Sequence, residues 1–284
     1  MIVFLLIFVG ISGYSIKSYY DKKNAEAILE ELAKDNEKKE SEAITEDDSE
    51  KTEVVEEIVE EAVEEYIDES SSTVSKLEEL GISMPEKEIN FDSLKESVNK
   101  DIYAWVYIPD SKIDYPVVQH PTDNEYYLNY NLDGSKGYPG CIYTEDYNKK
   151  DFSDRQTVIY GHNMKDGTMF AGLHRFEDEN YFNEHPYIYI YTEDDVFVYQ
   201  IFAAYKFSST HLILGFDLAN DDLYVGYLNS ILESREMGRV VDDSVAFDKD
   251  SKVLTLSTCV ANVPNQRFLV LRLLQHMRHF YHTY

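Results

Sequence analysis

The chain contains two cysteines, and one of them, Cys259, ends the alternating apolar run KVLTLSTC. A thiol at the end of a strand can face a cleft. It can act as a nucleophile if a neighbouring group holds a proton near neutral pH and a donor stabilises the developing oxyanion. The pattern therefore indicates covalent acyl transfer by a cysteine. The alternative is a buried strand thiol that serves packing alone.

His162 is the best candidate for the proton-holding group. It follows the strand-like run TVIYG at GHNM, and Gly161 leaves the backbone free to turn there. The other histidines are predicted to lie in loops, in helices or in a solvated C-terminal tail; they are His120, His174, His185, His211, His276, His279 and His282. The three in the tail are spaced by three residues but have no carboxylate nearby, so no metal site is predicted.

Arg267 begins the next apolar run, RFLVLRLL, eight residues after Cys259. If the two runs form neighbouring strands, the guanidinium lies across from the thiol. Its charge is permanent and its donors form a rigid fork, which suits an oxyanion or a peptide carbonyl. The alternative is an ordinary cation at a strand edge. Cys141, in YPGCIYTED, is predicted to be a structural strand thiol without a polar partner.

The elements that must position these side chains begin near residue 89. Short alternating runs such as DIYAWVYIP, IDYPVVQ, QTVIYGH, PYIYIYT and DVFVYQIFAAYKF predict strands, while FDSLKESVNK, TMFAGLHRF and DLANDDLYVGYLNSILESRE predict helices. About eight strands result, with no repeated strand–helix–strand unit. A mainly β fold, a mostly antiparallel barrel with helical insertions, fits this order best.

The N-terminal part of the chain has a different composition. Residues 1–16 carry no charge and are predicted to be a retained membrane anchor, with a cleaved signal peptide as the alternative. Residues 17–88 are predicted to be an acidic stalk, either an amphipathic helix or a self-repelling extended spacer. The lysines at 17, 22 and 23 favour a cytoplasmic location for the chain beyond the anchor.

Charge excludes one class of partner. The formal net charge is -28, and residues 17–90 hold 25 acidic against 9 basic side chains. A polyanion would be repelled by such a chain rather than attracted to it. No nucleic-acid partner is therefore predicted.

The motifs TLSTC at Cys259, GHN at His162 and RFLV at Arg267 resemble those of the sortases, the cysteine transpeptidases of Gram-positive cell surfaces. The resemblance extends over about residues 89–275. WVYIPDSKIDYPVVQ, DNEYYLNYNLDG and the helical insertion before KVLTLSTC are similar to class B members in particular. The resemblance implies a catalytic domain at residues 89–284 with a closed eight-stranded sortase barrel. It also implies a single-pass membrane protein whose catalytic domain is extracellular.

The same resemblance implies roles for individual residues. Cys259 would attack a threonine carbonyl in a sorting-signal peptide of the LPxTG or NPxTN kind, His162 would transfer protons, and Arg267 would hold the peptide and stabilise the oxyanion. The thioacyl group would pass to an amine of a peptidoglycan precursor or a pilin, without a cofactor. Four further residues would line the peptide site: Ser257, Thr258, Asn124 and Leu128.

Two features depart from class B. Val260 follows the cysteine, where relatives often carry an acidic or polar residue, and the loop VANVPNQ is short and contains Pro264. These departures affect which sorting motif the site is expected to prefer. The helical insertion at about residues 215–236 is predicted to shelter the acyl-enzyme from water.

Two other functions remain open from the residues alone. A papain-like cell-wall hydrolase would need its histidine after the cysteine, where only the tail histidines lie. A non-catalytic surface adhesin would use the barrel as a binding module and the stalk as a spacer.

Overall fold

A computed structural model describes residues 82, 84, 85, 87–233 and 238–279. The chain divides into two compact units, and the described residues from Ile89 onwards belong to one of them. The anchor predicted at residues 1–16 and nearly all of the stalk predicted at 17–88 lie outside the described residues. Among those that are described, no helix is both long enough and apolar enough to cross a bilayer.

Nine strands and a few short helices form the described part of this unit. The strands are β1 (Ile102–Tyr107), β2 (Asp114–Val118), β3 (Ile142–Tyr143), β4 (Gln156–Tyr160), β5 (Tyr187–Tyr191), β6 (Asp195–Ser208), β7 (Val240–Val241), β8 (Val253–Cys259) and β9 (Gln266–His279). The helices are α1 (Phe91–Ser97), α2 (Tyr126–Asn129), α3 (Glu179–Glu184) and α4 (Asp221–Glu233), with a 3₁₀ helix at Phe170–Glu177.

The sheet closes on itself. Its order is β5-β1-β2-β3-β4-β8-β9-β6, and β6 pairs back onto β5, so that eight strands form a barrel. β7 is a ninth, two-residue strand that pairs with Ala203 and Ala204 of β6, beyond the part of β6 that β5 occupies. Two pairs are parallel, β2 with β3 and β4 with β8, and the others are antiparallel. The predicted barrel with helical insertions is confirmed.

The wall of the barrel is buried on both faces where β9 forms it. Phe268 and Val270 belong to the core inside the barrel. Leu269 and Leu271 lie in a second core on the outer face, where the buried side of α4 covers them. A strand covered on both faces reads as a continuous apolar run, which explains the sequence FLVL. Burial of each such side chain contributes about 1.5–3 kcal/mol.

Two expectations about elements were wrong. His276 and His279 do not lie in a solvated tail, because β9 continues to His279 and pairs with β6 along its length; His282 lies outside the described residues. The helical insertion does not shelter the site, because Tyr224, Leu228 and Ile231 of α4 pack against the outer face of the barrel.

Candidate active site

A cavity of about 220 Å³ opens where β4, β8 and β9 meet. It is lined by all seven residues that the sequence predicts for the site: Cys259, His162, Arg267, Ser257, Thr258, Asn124 and Leu128. The segment 207–212, which comprises the end of β6 and the residues just after it, forms another part of the lining. That segment, rather than α4, therefore borders the candidate nucleophile.

Parallel pairing of β4 with β8 brings His162 to the level of Cys259. Tyr160 is the register partner of Ser257. His162 lies two residues after Tyr160, and Cys259 lies two residues after Ser257. The Gly161 N–H donates to the Ser257 carbonyl at 3.1 Å. The Thr258 hydroxyl donates to the Gly161 carbonyl at 2.8 Å. These bonds extend the pairing past the end of β4, so histidine and cysteine, 97 positions apart in sequence, leave the sheet at the same end.

The candidate nucleophile is accessible. Cys259 is the last residue of β8 and carries a free, exposed thiol. The buried Ser257 and Thr258 precede it in the strand. The chain therefore presents the thiol from a rigid support, which suits a nucleophile that must meet a carbonyl carbon at a defined angle.

The imidazole of His162 is held by the peptide backbone. Its Nε2 lies 2.9 Å from the Leu128 carbonyl oxygen. A neutral ring that donates from Nε2 to this oxygen keeps Nδ1 as the proton acceptor. The Tyr138 ring meets the imidazole edge-on, with 5.1 Å between ring centroids. The histidine can thus accept a proton and later return it while its ring stays oriented.

Arg267 lies across from the thiol, as the two apolar runs predict. It is the antiparallel register partner of Cys259, and its Nη1 donates to the Gln266 carbonyl at 3.3 Å. Burial raises the pKa of the Tyr143 and Tyr160 phenols, and the positive charge of Arg267 opposes that rise in both. The guanidinium charge therefore acts on the cavity wall, where an oxyanion would also feel it.

Asn124 and Leu128 also line the cavity, but through different groups. The amide of Asn124 is engaged by Asp146, to whose carboxylate it donates at 2.7 Å and from whose N–H it accepts at 2.7 Å. Leu128 presents a partly exposed apolar side chain, and its carbonyl is the one that binds His162. Leu128 thus contributes a carbonyl oxygen to the site as well as an apolar wall.

A polar cluster on the cavity wall was not anticipated from the sequence. The carboxylate of Glu145 lies 2.8 Å from Nε2 of His211 and accepts a hydrogen bond from the Tyr160 hydroxyl at 3.1 Å. The pair joins the segment before β4 to the segment after β6. Because these residues are 66 positions apart, no spacing in the sequence indicates that they meet.

Asn163 and His174 were also missed; both contact the backbone carbonyl of Cys259. The sequence offers a signal for Asn163 alone, which directly follows His162 in the GHN motif. His174 lies in the 3₁₀ helix, where nothing in the local pattern points to the cysteine.

Cys141 is buried, with 3% of its surface exposed. It precedes β3, and its thiol donates to the Tyr130 carbonyl at 3.3 Å, so the expectation of no polar partner was wrong. Burial raises the pKa of this thiol. Both effects protect Cys141 from reaction at neutral pH.

Among the described residues, no group of three or more histidine, cysteine, aspartate or glutamate side chains is arranged to hold a metal ion. A second cavity, of about 520 Å³, lies between α4 and the end of β6. It shares Phe207 and Ser208 with the first cavity.

The Sortase domain family model matches residues 106–273, which include all three predicted catalytic residues. The chain belongs to the sortase family. Sortase B of Listeria monocytogenes is 32% identical over 164 residues, 58% of this chain and 65% of the relative. Sortase B of Staphylococcus aureus is 28% identical over 169 residues, 60% of this chain and 67% of the relative. The match thus spans slightly less than two thirds of the Listeria sortase.

Solved structures agree with this assignment. Clostridium perfringens sortase B has a TM-score of 0.59 and 31% identity, with 66% of this chain and 100% of that chain covered. A Staphylococcus aureus sortase B–substrate complex has a TM-score of 0.57 and 28% identity, with 65% of this chain and 84% of that one covered. The chain is a class B sortase by these relationships.

Proposed function

We propose that the protein is a cysteine transpeptidase that cleaves a sorting-signal peptide at a threonine carbonyl and transfers the acyl group to an amine. The observation that carries the proposal is the meeting of Cys259, His162 and Arg267 at one cavity. Membership of the sortase family supports the reaction class. A solved sortase B–substrate complex supports a peptide as the first substrate.

The reaction has two halves. The Cys259 thiol first gives its proton to His162. The resulting thiolate adds to the threonine carbonyl carbon, and the oxyanion that forms is stabilised by the Arg267 guanidinium. The C–N bond then breaks, His162 protonates the departing amine, and a thioester to Cys259 remains. In the second half, His162 takes a proton from the incoming amine, which attacks the thioester carbonyl and releases the thiolate.

Arg267 has the largest electrostatic part in this scheme. Removing one oxyanion donor from an acyl-transfer enzyme costs about 3–4 kcal/mol of barrier. A guanidinium can supply two donors in one plane.

The second substrate we propose is an amine of a peptidoglycan precursor or of a pilin subunit. An enzyme with such substrates acts outside the cell. We therefore propose that residues 1–16 anchor it in the cell membrane with the catalytic domain extracellular, although Lys17, Lys22 and Lys23 favour the opposite orientation. A protease-accessibility assay on intact cells tests this, because an extracellular domain is digested without lysis.

The function is tested by peptide cleavage with an added amine acceptor, read by mass. Cys259→Ala is expected to abolish cleavage and transfer, while the matched variant Cys141→Ala retains both, because its thiol lies outside the cavity. Equal loss in the two variants would contradict the proposal.

Histidine variants separate this mechanism from a papain-like hydrolase. His162→Ala is expected to abolish turnover and His276→Ala to leave it intact, since only the first lines the cavity. The reverse result would favour the hydrolase. A thiol-reactive peptide probe that fails to label Cys259 at all would favour a binding module.

A further inference from the structure

Two side chains hold the backbone carbonyl of the nucleophile from outside the cavity. The Asn163 amide nitrogen donates to the Cys259 oxygen at 2.9 Å. Nε2 of His174 lies 3.1 Å from the same oxygen and 3.1 Å from the Asn163 amide nitrogen. The three groups form a closed triangle of polar contacts. Neither Asn163 nor His174 lines the cavity that contains the thiol.

His174 is itself fixed on two further sides. Its Nδ1 lies 3.0 Å from the Glu177 carboxylate, whose other oxygen is 3.8 Å from the Lys206 ammonium. Its ring stacks on Phe268, with 4.7 Å between the centroids and 26° between the planes. Phe268 is the register partner of Thr258, the residue before the nucleophile. The imidazole is therefore braced against the strands it acts on.

In each charge state of the ring, one of the two Nε2 contacts is a hydrogen bond. A carboxylate accepts only, so the Nδ1 atom beside Glu177 carries a proton. In the neutral ring, Nε2 then accepts one amide proton of Asn163 while the other goes to the Cys259 carbonyl. In the charged ring, Nε2 donates to that carbonyl directly. The grip on the carbonyl thus persists when His174 gains or loses its second proton.

The grip fixes more than one atom because the peptide unit is planar. The carbonyl of Cys259 and the N–H of Val260 belong to the same plane. That N–H donates to the Gln266 carbonyl at 3.3 Å, one residue before Arg267. The plane is therefore held at both ends, by Asn163 and His174 on one side and by β9 on the other. Its orientation sets the backbone of Cys259 relative to the strand that carries Arg267.

We propose that His174 and Asn163 are a positioning pair, which clamps the Cys259–Val260 peptide unit so that the thiol meets the substrate carbonyl within reach of Arg267. Glu177 orients His174 in this arrangement. The proposal rests on the proposed transpeptidase function for its kinetic consequences. Its structural part, a clamped carbonyl, can be tested without turnover.

The kinetic test compares two substitutions at one position. His174→Phe keeps an aromatic ring on Phe268 but removes both nitrogens, while His174→Gln keeps an amide nitrogen at a similar reach. His174→Phe is expected to lower kcat about 10- to 100-fold with KM within about twofold of wild type, because a small displacement of a reacting group costs this much. His174→Gln should recover a large part of the loss.

His185→Phe is the matched control. His185 also stacks on an aromatic ring, that of Tyr181 at 3.8 Å, and bonds a backbone carbonyl at 3.0 Å, but it lies outside the cavity lining. Its kcat should match wild type. Equal kcat losses for His174→Phe, His174→Gln and His185→Phe, in step with lowered unfolding midpoints, would reduce His174 to a structural role and overturn the proposal.

A spectroscopic test is independent of turnover. With ¹³C-carbonyl cysteine, the chain gives two labelled signals, from Cys259 and Cys141. His174→Phe and Asn163→Ala should each shift the Cys259 signal upfield, since a carbonyl loses a hydrogen bond, and leave the Cys141 signal in place. An unmoved Cys259 signal in both variants would overturn the clamp. If instead wild type cleaves no sorting peptide while the signal shifts as expected, the proposed function fails and the clamp stands.

Discussion

Two arginines on β9 occupy opposite faces of the barrel wall. Arg267 is partly exposed and lines the cavity beside Cys259. Arg272 shares the inward face with Phe268 and Val270, is 0% exposed, and its guanidinium has no hydrogen-bond partner among the described residues. The ring of Phe176 lies 4.8 Å from it. Arg267 thus contributes its guanidinium to the candidate site, whereas the buried guanidinium of Arg272 carries a desolvation cost.

Arg267→Lys is expected to lower kcat/KM about 100-fold, although the charge is kept. A lysine ammonium is a point charge and cannot place two coplanar donors on an oxyanion. Peptide-cleavage kinetics check this, with Arg239→Lys as the matched control, since Arg239 bonds the Leu232 carbonyl away from the cavity. A wild-type kcat/KM in Arg267→Lys would show that the reaction does not need the two coplanar donors of the guanidinium.

Arg272→Met is expected to raise the free energy of unfolding by about 1–4 kcal/mol, as replacement of buried charges by apolar side chains often does. Burial lowers the pKa of Arg272 to about 9. Below that pH the guanidinium is charged in both the folded and the unfolded chain, and its full desolvation cost applies.

Above pH 9 the unfolded chain binds more protons than the folded one, so wild-type stability gains relative to the variant. The advantage of Arg272→Met should therefore be larger at about pH 7 than at about pH 10, as urea denaturation would show. A variant less stable than wild type at neutral pH would mean that the stacking on Phe176 outweighs desolvation.

At the scale of elements, the site depends on the exit of the chain from β4. Gly161 leaves no room for a side chain: an added Cβ would lie 2.5 Å from Cδ1 of Ile142 and 2.7 Å from the ring of Phe170. His162 follows immediately. The glycine matters here for close packing, since its φ is not in the left-handed region.

Gly161→Ala is expected to destabilise the fold by about 1–3 kcal/mol, the usual cost of overpacking. It should also lower kcat, because relief of the clash moves the backbone of His162. Gly226→Ala is the matched control. It lies in α4 with nothing within 4 Å of the added Cβ, so it should stabilise by about 0.5–1 kcal/mol. Thermal unfolding and kcat, measured together, test both variants. If Gly161→Ala changed neither the unfolding temperature nor kcat, the side chains of Ile142 and Phe170 would be able to move aside without cost.

The sequence predicts the β8–β9 half of the site better than the rest. Six residues separate Cys259 from Gln266, so two alternating runs there must pair antiparallel, and Arg267 falls opposite the thiol. His162 could be placed at a strand end from GHN, but the parallel pairing of β4 with β8 is a long-range contact that local periodicity does not encode.

Contacts made by a single side chain over a long separation were not predictable. His174 reaches Cys259 across 85 positions, and the Glu145–His211 pair spans 66. Helical or strand periodicity predicts neither contact, because each joins two segments that become neighbours only in the folded barrel. The position of α4 was predicted wrongly for a related reason: the sequence shows its apolar face, but it does not show which surface of the barrel that face covers.

At the scale of the whole molecule, the catalytic unit is a closed sheet. Closure between β5 and β6 leaves β7 as a short edge, which limits strand addition by another chain. The excess acidic charge of the segment 17–90 lies mostly outside this unit. More than half of the net charge is thus carried by a part of the chain that does not hold the candidate site.

A fragment of residues 89–284 is expected to fold alone and to cleave the same peptide with a kcat/KM within about threefold of the full chain, because the domain has its own core. Thermal unfolding and the peptide assay check this. A fragment that folds but has lost activity would show that residues 1–88 contribute to the site, contrary to the predicted domain boundary.

The chain holds two thiols, of which Cys259 is exposed and Cys141 is buried. A maleimide should therefore take up one equivalent from the native protein and a second only when the region around β3 opens. The ratio of the two equivalents measures the folded fraction of any preparation. Uptake beyond one equivalent counts the chains in which Cys141 has become accessible, so turnover can be expressed per folded molecule rather than per chain.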